Sequence, residues 1–242
     1  VAKRFPAHAL MVSDPVMRTK PGRSRCFTAA TPGEPLAVRC ELADEAARAL
    51  STLLPILGCG EEAAGLAFAG LAATHTSDPM AAGALHRIAE EEQVHDRLIH
   101  SLSAALPPPP PQAELRSRIR RFHIELGRGD RVTRLARIAA LDSAVCLLLP
   151  RLLRPGTPLS AEASVSAILR RIARDEANHV RVTRALAMAR AGERELRHIG
   201  MPVREHLGAL LTEVADAFEA LAFDPRWLRD GVGQLPDGLF RA

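Results

Sequence analysis

Apolar residues recur along this chain at the three- and four-residue steps of a helix, and four stripes of that spacing stand out. Positions 54, 57, 61, 64, 68 and 71 read Leu, Leu, Glu, Ala, Phe, Leu. Positions 85, 88, 92, 95, 99 and 102 read Leu, Ile, Glu, His, Ile, Leu. Positions 135, 138, 142, 145, 149 and 152 read Leu, Ile, Asp, Val, Leu, Leu. Positions 169, 172, 176, 179, 183 and 186 read Leu, Ile, Glu, His, Thr, Leu. Each stripe is the kind of helix face that packs into a core, and each is interrupted in its middle by acid or by acid and histidine. No run of alternating β-branched residues is long enough to predict a strand, so the fold class expected is all-α.

Breakers and caps divide the pattern. Helix is predicted from about Leu36 to Leu57, with Pro55, Gly58 and Gly60 predicting a kink or break before a second segment that continues to His75. Ser77 or Asp78 followed by Pro79 predicts a helix start, and that helix should run to about Leu106. The proline run 107–111 is a stiff spacer joining two halves. A basic helix (AELRSRIRRFHIEL) follows, then one capped by Asp130 and ending near Leu153. A turn at 155–158, a helix over roughly 160–191, a connector over 191–202, a last helix over 203–223 and a looped tail complete the reading. The organisation expected is an irregular basic N-terminal arm (1–35), a helical domain (36–225) and a C-terminal tail (226–242).

Composition adds three points. Of 242 residues, 47% are apolar, enough for a sizeable core, and Ala, Leu, Arg and Glu dominate, which favours helix. The net charge of +4 permits an acidic partner without requiring one. Cys26, Cys40, Cys59 and Cys146 form no C-x-x-C pair, which argues against a zinc ribbon or rubredoxin-type site and fits a reducing, cytoplasmic location. No apolar run is read as reaching the ~18–20 residues of a membrane span, and the first residues lack the apolar segment of a signal peptide, so no membrane association is expected.

The decisive feature is a repeat. RIAEEEQVH at 87–95 returns as RIARDEANH at 171–179, with Glu and His at the same places. Residues three apart share a helix face, so Glu92 with His95 and Glu176 with His179 point into the predicted core. Glu61 stands 31 residues before Glu92, and Asp142 stands 34 before Glu176. Each half therefore supplies an acid and then Glu-x-x-His. Glu61 is preferred over Glu62, because the seam through Glu62 holds Pro55, Gly58, Gly65, Ala69 and Ala72, a poorer core. Burying carboxylates alone is very unfavourable. Two divalent cations would balance four carboxylates with both imidazoles neutral, and this oxygen and nitrogen donor set suits iron or manganese. The competing reading is a buried salt-bridge network. Glu91 and Asp175 precede the two inward glutamates and are candidate acceptors for the outer ring N–H of the opposite histidine, Glu91 for His179 and Asp175 for His95. Cys146, one turn beyond Asp142, reads as a small core residue.

This set of six, Glu61, Glu92, His95, Asp142, Glu176 and His179, resembles the ligand set of the ferritin-like di-iron carboxylate superfamily, and GEEAAGLAF at 60–68 is similar to the first-helix segment of its rubrerythrin-type members. The resemblance covers about residues 40–190. It implies a ferritin-like four-helix bundle with additional helices, and the six residues as ligands of two iron ions, with no catalytic residue beyond them. It further implies dioxygen as co-substrate and an external electron donor such as a reductase. Asp142 departs from the pattern, standing where Glu is usual, one methylene shorter. Ile172 stands where the arylamine N-oxygenases carry an extra ligand.

Within that superfamily the sequence narrows the choice. Ferritin cages use one Glu-x-x-His rather than two. The absence of Tyr excludes a tyrosyl radical, and the absence of paired cysteines removes the rubrerythrin electron-transfer domain. The expectation is an oxygenase or oxidase acting on a small molecule by hydroxylation, N-oxidation, desaturation or carbon–carbon cleavage, in specialised metabolism. Alternatives are a tRNA-modifying di-iron hydroxylase and an iron- or peroxide-handling protein without an organic substrate. An acidic carrier protein or RNA on the arginines at 116–121, and a homodimer, are the other partners considered.

Overall fold

The structure, a computed structural model, describes residues 26–27, 36–75 and 77–241. The rest of the expected basic arm lies outside the described residues. The fold is all-helical, with no strand among the described residues. Its elements are α1 (Asp44–Thr74), α2 (Pro79–Ala104), α3 (Ala113–Leu126), α4 (Arg131–Leu152), α5 (Pro158–Ala161), α6 (Ala163–Met188), α7 (Glu193–Thr212) and α8 (Ala215–Ala220). A π-helical turn, Leu228–Val232, follows.

The four long helices α1, α2, α4 and α6 carry the four stripes. Every stripe position is buried except Leu57, Ala64, Val145 and Leu186, which are half-buried. Short connections make sequence neighbours into packed pairs: α1 lies along α2, and α4 along α6. The two pairs meet along α2 and α6, whereas α1 and α4 make no extended contact. Asp78 caps α2 by accepting from the Ala81 N–H at 3.0 Å, with Pro79 in the first turn, and Asp130 caps α4 by accepting from the Thr133 N–H at 2.8 Å. The proline run leads into α3, and Ser51 of α1 holds its start by donating to the Pro107 carbonyl at 2.7 Å.

Several sequence expectations are corrected. Residues 36–43 are not helical: the Leu36 N–H donates to Ser101 Oγ of α2 at 2.9 Å, so the backbone bonds to a side chain instead of building a turn. There is no break at Pro55, Gly58 or Gly60, because α1 is one helix of 31 residues through all three. Proline removes a single donor from the ladder, and burial of the flanking stripe on α2 outweighs that loss. α1 is also long and apolar enough to cross a membrane by length and composition, contrary to the reading of the sequence; here it packs along α2 with Glu61 and Glu62 buried in its middle. Residues 193–202 are helix rather than connector. Gly200 and Pro202 sit inside α7, where Gly200 admits close packing: a Cβ there would lie 3.2 Å from Ala140 Cβ and from Leu235 Cδ1. The last expected helix ends early, at Thr212, with α8 after it. The helix expected over 160–191 is preceded by a separate short turn, α5.

The tail packs as core. Leu228, Val232, Leu235, Leu239 and Phe240 are buried. Fully buried Arg204 of α7 fastens this segment, donating from Nε to the Val232 carbonyl at 2.5 Å and from Nη2 to the Gly231 carbonyl at 3.0 Å. Its Nη1 donates to Ser143 Oγ on α4 at 2.8 Å.

Candidate metal centre

Each long helix contributes its mid-stripe polar group to one place in the interior. Glu61 of α1, Glu92 and His95 of α2, and Glu176 of α6 are all buried, and one ligand atom from each lies within 4.8 Å of those of the others. His95 Nδ1 is 3.2 Å from Glu61 Oε2, 3.4 Å from Glu92 Oε2 and 3.6 Å from Glu176 Oε1. His179 Nδ1, from the other half, is 3.1 Å from Glu92 Oε1 and 3.6 Å from Glu176 Oε1. Glu92 and Glu176 therefore stand between the two histidines. Asp142 of α4 is buried beside them but falls outside the four-ligand group.

The outer nitrogens face away from this centre. His179 Nε2 donates to Glu91 Oε2 at 2.8 Å, and His95 Nε2 donates to Asp175 Oδ2 at 3.1 Å. Each carboxylate comes from the opposite half, and a carboxylate can only accept, so Nε2 of each ring carries a proton and Nδ1 faces the centre.

Electrostatics in the absence of a cation follow from crowding. Burial raises the Glu61 carboxyl well above its ordinary range, and the nearby Glu92 and Glu176 add to this against the pull of His95. Asp142 is likewise raised, first by burial and then by Glu176 and Glu92. Burial opposes ionisation of Glu92, but the pull of His179 and His95 outweighs it and holds that carboxyl at about 2. Burial disfavours the His179 cation, yet Glu176 and Glu92 outweigh it and raise the imidazole to about 11. His95 moves in the same direction, burial being overcome by Glu176, Glu61 and Glu92.

The donor set fits a metal. Glu92 Oε1 and Oε2, Asp142 Oδ2 and His179 Nδ1 are buried without a hydrogen-bond partner. His179 Nδ1 and Glu92 Oε1 are near in distance but not aligned to bond each other. Orphaned buried polar atoms of this kind are rare and call for a partner. Bound cations would accept the lone pairs that no hydrogen bond takes up.

Other sequence candidates find different roles. Glu62 is buried too, but its carboxylate accepts from the Cys26 and Phe27 N–H groups at 2.8 and 3.0 Å, holding the end of the arm. Cys146 is half-buried beside the centre, its thiol pushed up to about 12 by burial and then by Glu176 and Asp142. The arginines of α3 are partly spent within the chain: Arg118 pairs with Glu213, Arg121 donates to Ser117 Oγ, and Arg120 lies over the Phe27 ring. Sequence reasoning passed over His123 of α3, which stands against Gly60 of α1, beside Glu61; a Cβ on Gly60 would lie 3.8 Å from its ring. Burial lowers its pKa to about 4, so it is neutral. An apolar cavity of about 120 Å³ adjoins the centre. Compared with protein-family models, curated proteins and solved structures, the chain matches none.

Proposed function

We propose that this chain is a non-haem di-iron oxygenase or oxidase, built on a ferritin-like bundle, that oxidises a small organic molecule. The observation that carries the reading is the crossed duplication. Two Glu-x-x-His segments turn both Nδ1 atoms toward Glu92 and Glu176, while each outer nitrogen is held by an acid of the other half. A salt-bridge network alone would leave no reason for Asp142 Oδ2, which is buried without a hydrogen-bond partner.

Helix direction supports the bundle. From the carboxylates, the cavity walls run toward earlier residues on α1 (Leu50) and α6 (Leu169) and toward later ones on α4 (Leu152). α4 thus runs opposite to α1 and α6, and α2 opposite to α1. The connection from α2 to α4 must then travel the length of the bundle, which residues 105–130 with α3 do. This order of directions is what a bundle with one long crossover would need.

Glu61, Glu92, His95 and Glu176 would hold one ion, and His179 and Asp142 would complete a second with the shared glutamates. When bound, such a pair supplies electrons for the reductive activation of dioxygen. The chain's own residues set the conditions for it. Asp175 and Glu91 fix the tautomer and direction of the two rings. Glu61 and Asp142, whose carboxyls burial raises above their ordinary range, would be held as carboxylates by the cation. The leucines beyond them keep bulk water from the centre. The apolar cavity favours an organic substrate over iron or peroxide handling.

The test is anaerobic titration with iron(II), followed by air. The expected result is two equivalents bound per chain and oxygen consumption, with both lost in a His95→Ala/His179→Ala double variant that keeps its helical spectrum. Unchanged iron content in that variant would sink the proposal.

A further inference from the structure

The two helix pairs touch along α2 and α6 and stand apart along α1 and α4. A bundle splayed on one side leaves a wedge between the separated helices. Ile119 and Phe122 of α3, Leu207 and Leu211 of α7 and Phe218 of α8 close it from outside, so the wedge becomes the cavity. Its polar wall groups are all at one end. Glu61, Glu92, Asp142 and Glu176 form that end, and His123 stands beside Gly60, next to Glu61. Away from it the wall is aliphatic: Leu57, Leu53 and Leu50 follow one another at successive turns of α1, opposite Val145, Leu149 and Leu152 of α4.

We infer that this cavity binds an unbranched aliphatic chain, laid along α1 and α4 with the carbon to be oxidised at the carboxylate end. The inference rests on the proposed function for the chemistry at that end, and on geometry alone for the rest. The apolar wall offers no hydrogen-bonding side chain, so a polar or charged group placed there would be desolvated without a partner, at a cost of a few kcal/mol. Nucleotides, sugars and amino acids are excluded from it on that ground. Glu61 to Leu50 and Asp142 to Leu152 each span about 15 Å at 1.5 Å per helical residue. A saturated chain advances about 1.2 Å per bond, so about twelve carbons fill that length.

The test uses metal-free protein and calorimetric titration with unbranched primary alcohols of about six to about sixteen carbons. Affinity is expected to rise about four-fold per methylene, the equivalent of ~0.8 kcal/mol, and to level off near about twelve. In Leu53→Trp, which fills the wall two turns from Glu61, the plateau should move to shorter chains by several carbons. Leu57→Phe serves if that variant fails to fold, as judged by thermal melting. Parallel titration with the matching coenzyme A thioesters separates a free chain from a carrier-borne one, and tighter binding of either series supports the cavity assignment. Affinity that does not change with chain length, or a plateau unmoved in a folded variant, would overturn it. Because no metal is present, alkyl binding with no iron uptake would leave this inference standing and remove the proposed function, and the reverse result would do the opposite.

Discussion

Glu91 accepts a hydrogen bond from His179 at 2.8 Å although 88 residues separate them, and Asp175 accepts the equivalent bond from His95 across 80. The outer nitrogen of each histidine is thus held by the other half of the chain. Glu91 and Asp175 are only partly buried, so their replacement should leave the core intact. Glu91→Ala and Asp175→Ala are expected to weaken metal affinity about 10- to 100-fold. Glu91→Gln, which keeps an acceptor oxygen, should recover part of the loss. Competition with a coloured chelator measures all three, and unchanged affinity in both alanine variants would contradict the orienting role.

Under the proposed function, Asp142 would help to hold the second ion. It is buried, with Oδ2 unpartnered, yet it lies outside the group formed by Glu61, Glu92, His95 and Glu176. One added methylene would carry the carboxylate inward. Asp142→Glu should tighten the weaker of two binding steps, whereas Asp142→Ala should remove that step and keep the first. Stepwise cobalt(II) titration, followed by its visible absorption, distinguishes the two outcomes.

The repeat, the caps at Asp78 and Asp130 and the four stripes were legible in the sequence because each is a local pattern with one physical meaning. Glu61 could be separated from Glu62 by the quality of its seam, and the structure gives the two acids different partners: the centre for one, the Cys26 and Phe27 amides for the other. What misled was local as well. Pro55, Gly200 and Pro202 carry breaker signals, but long-range burial holds α1 and α7 continuous through them. The cavity could not be read at all, since it depends on the distance between α1 and α4, which no stretch of either helix encodes.

His123 makes stability depend on pH. Its folded value, lowered to about 4 by burial, lies below the ordinary histidine value of 6.5. The unfolded chain therefore binds the proton more readily, and stability falls as pH drops from about 6.5 toward about 4. His123→Leu should flatten that part of the profile relative to the parent, as read from denaturation midpoints across this range. An identical slope in both proteins would count against a neutral, half-buried His123.

Gly208 is where the C-terminal segment comes closest to α7. A Cβ there would meet the Leu228 carbonyl oxygen at 2.7 Å and Gly233 Cα at 2.9 Å, both backbone atoms that cannot swing aside. Gly208→Ala is expected to destabilise by ~1–3 kcal/mol, the usual range for overpacking. Urea denaturation checks it, and a variant as stable as the parent would mean that the π-helical turn can move off α7.

The exchange of partners between halves has an evolutionary side. A duplicated segment usually brings two self-sufficient copies, free to diverge one at a time. Here His95 answers to Asp175 and His179 to Glu91, so a change in either copy is felt in the other. Neither copy can therefore be replaced alone without loosening a ring that the other copy carries.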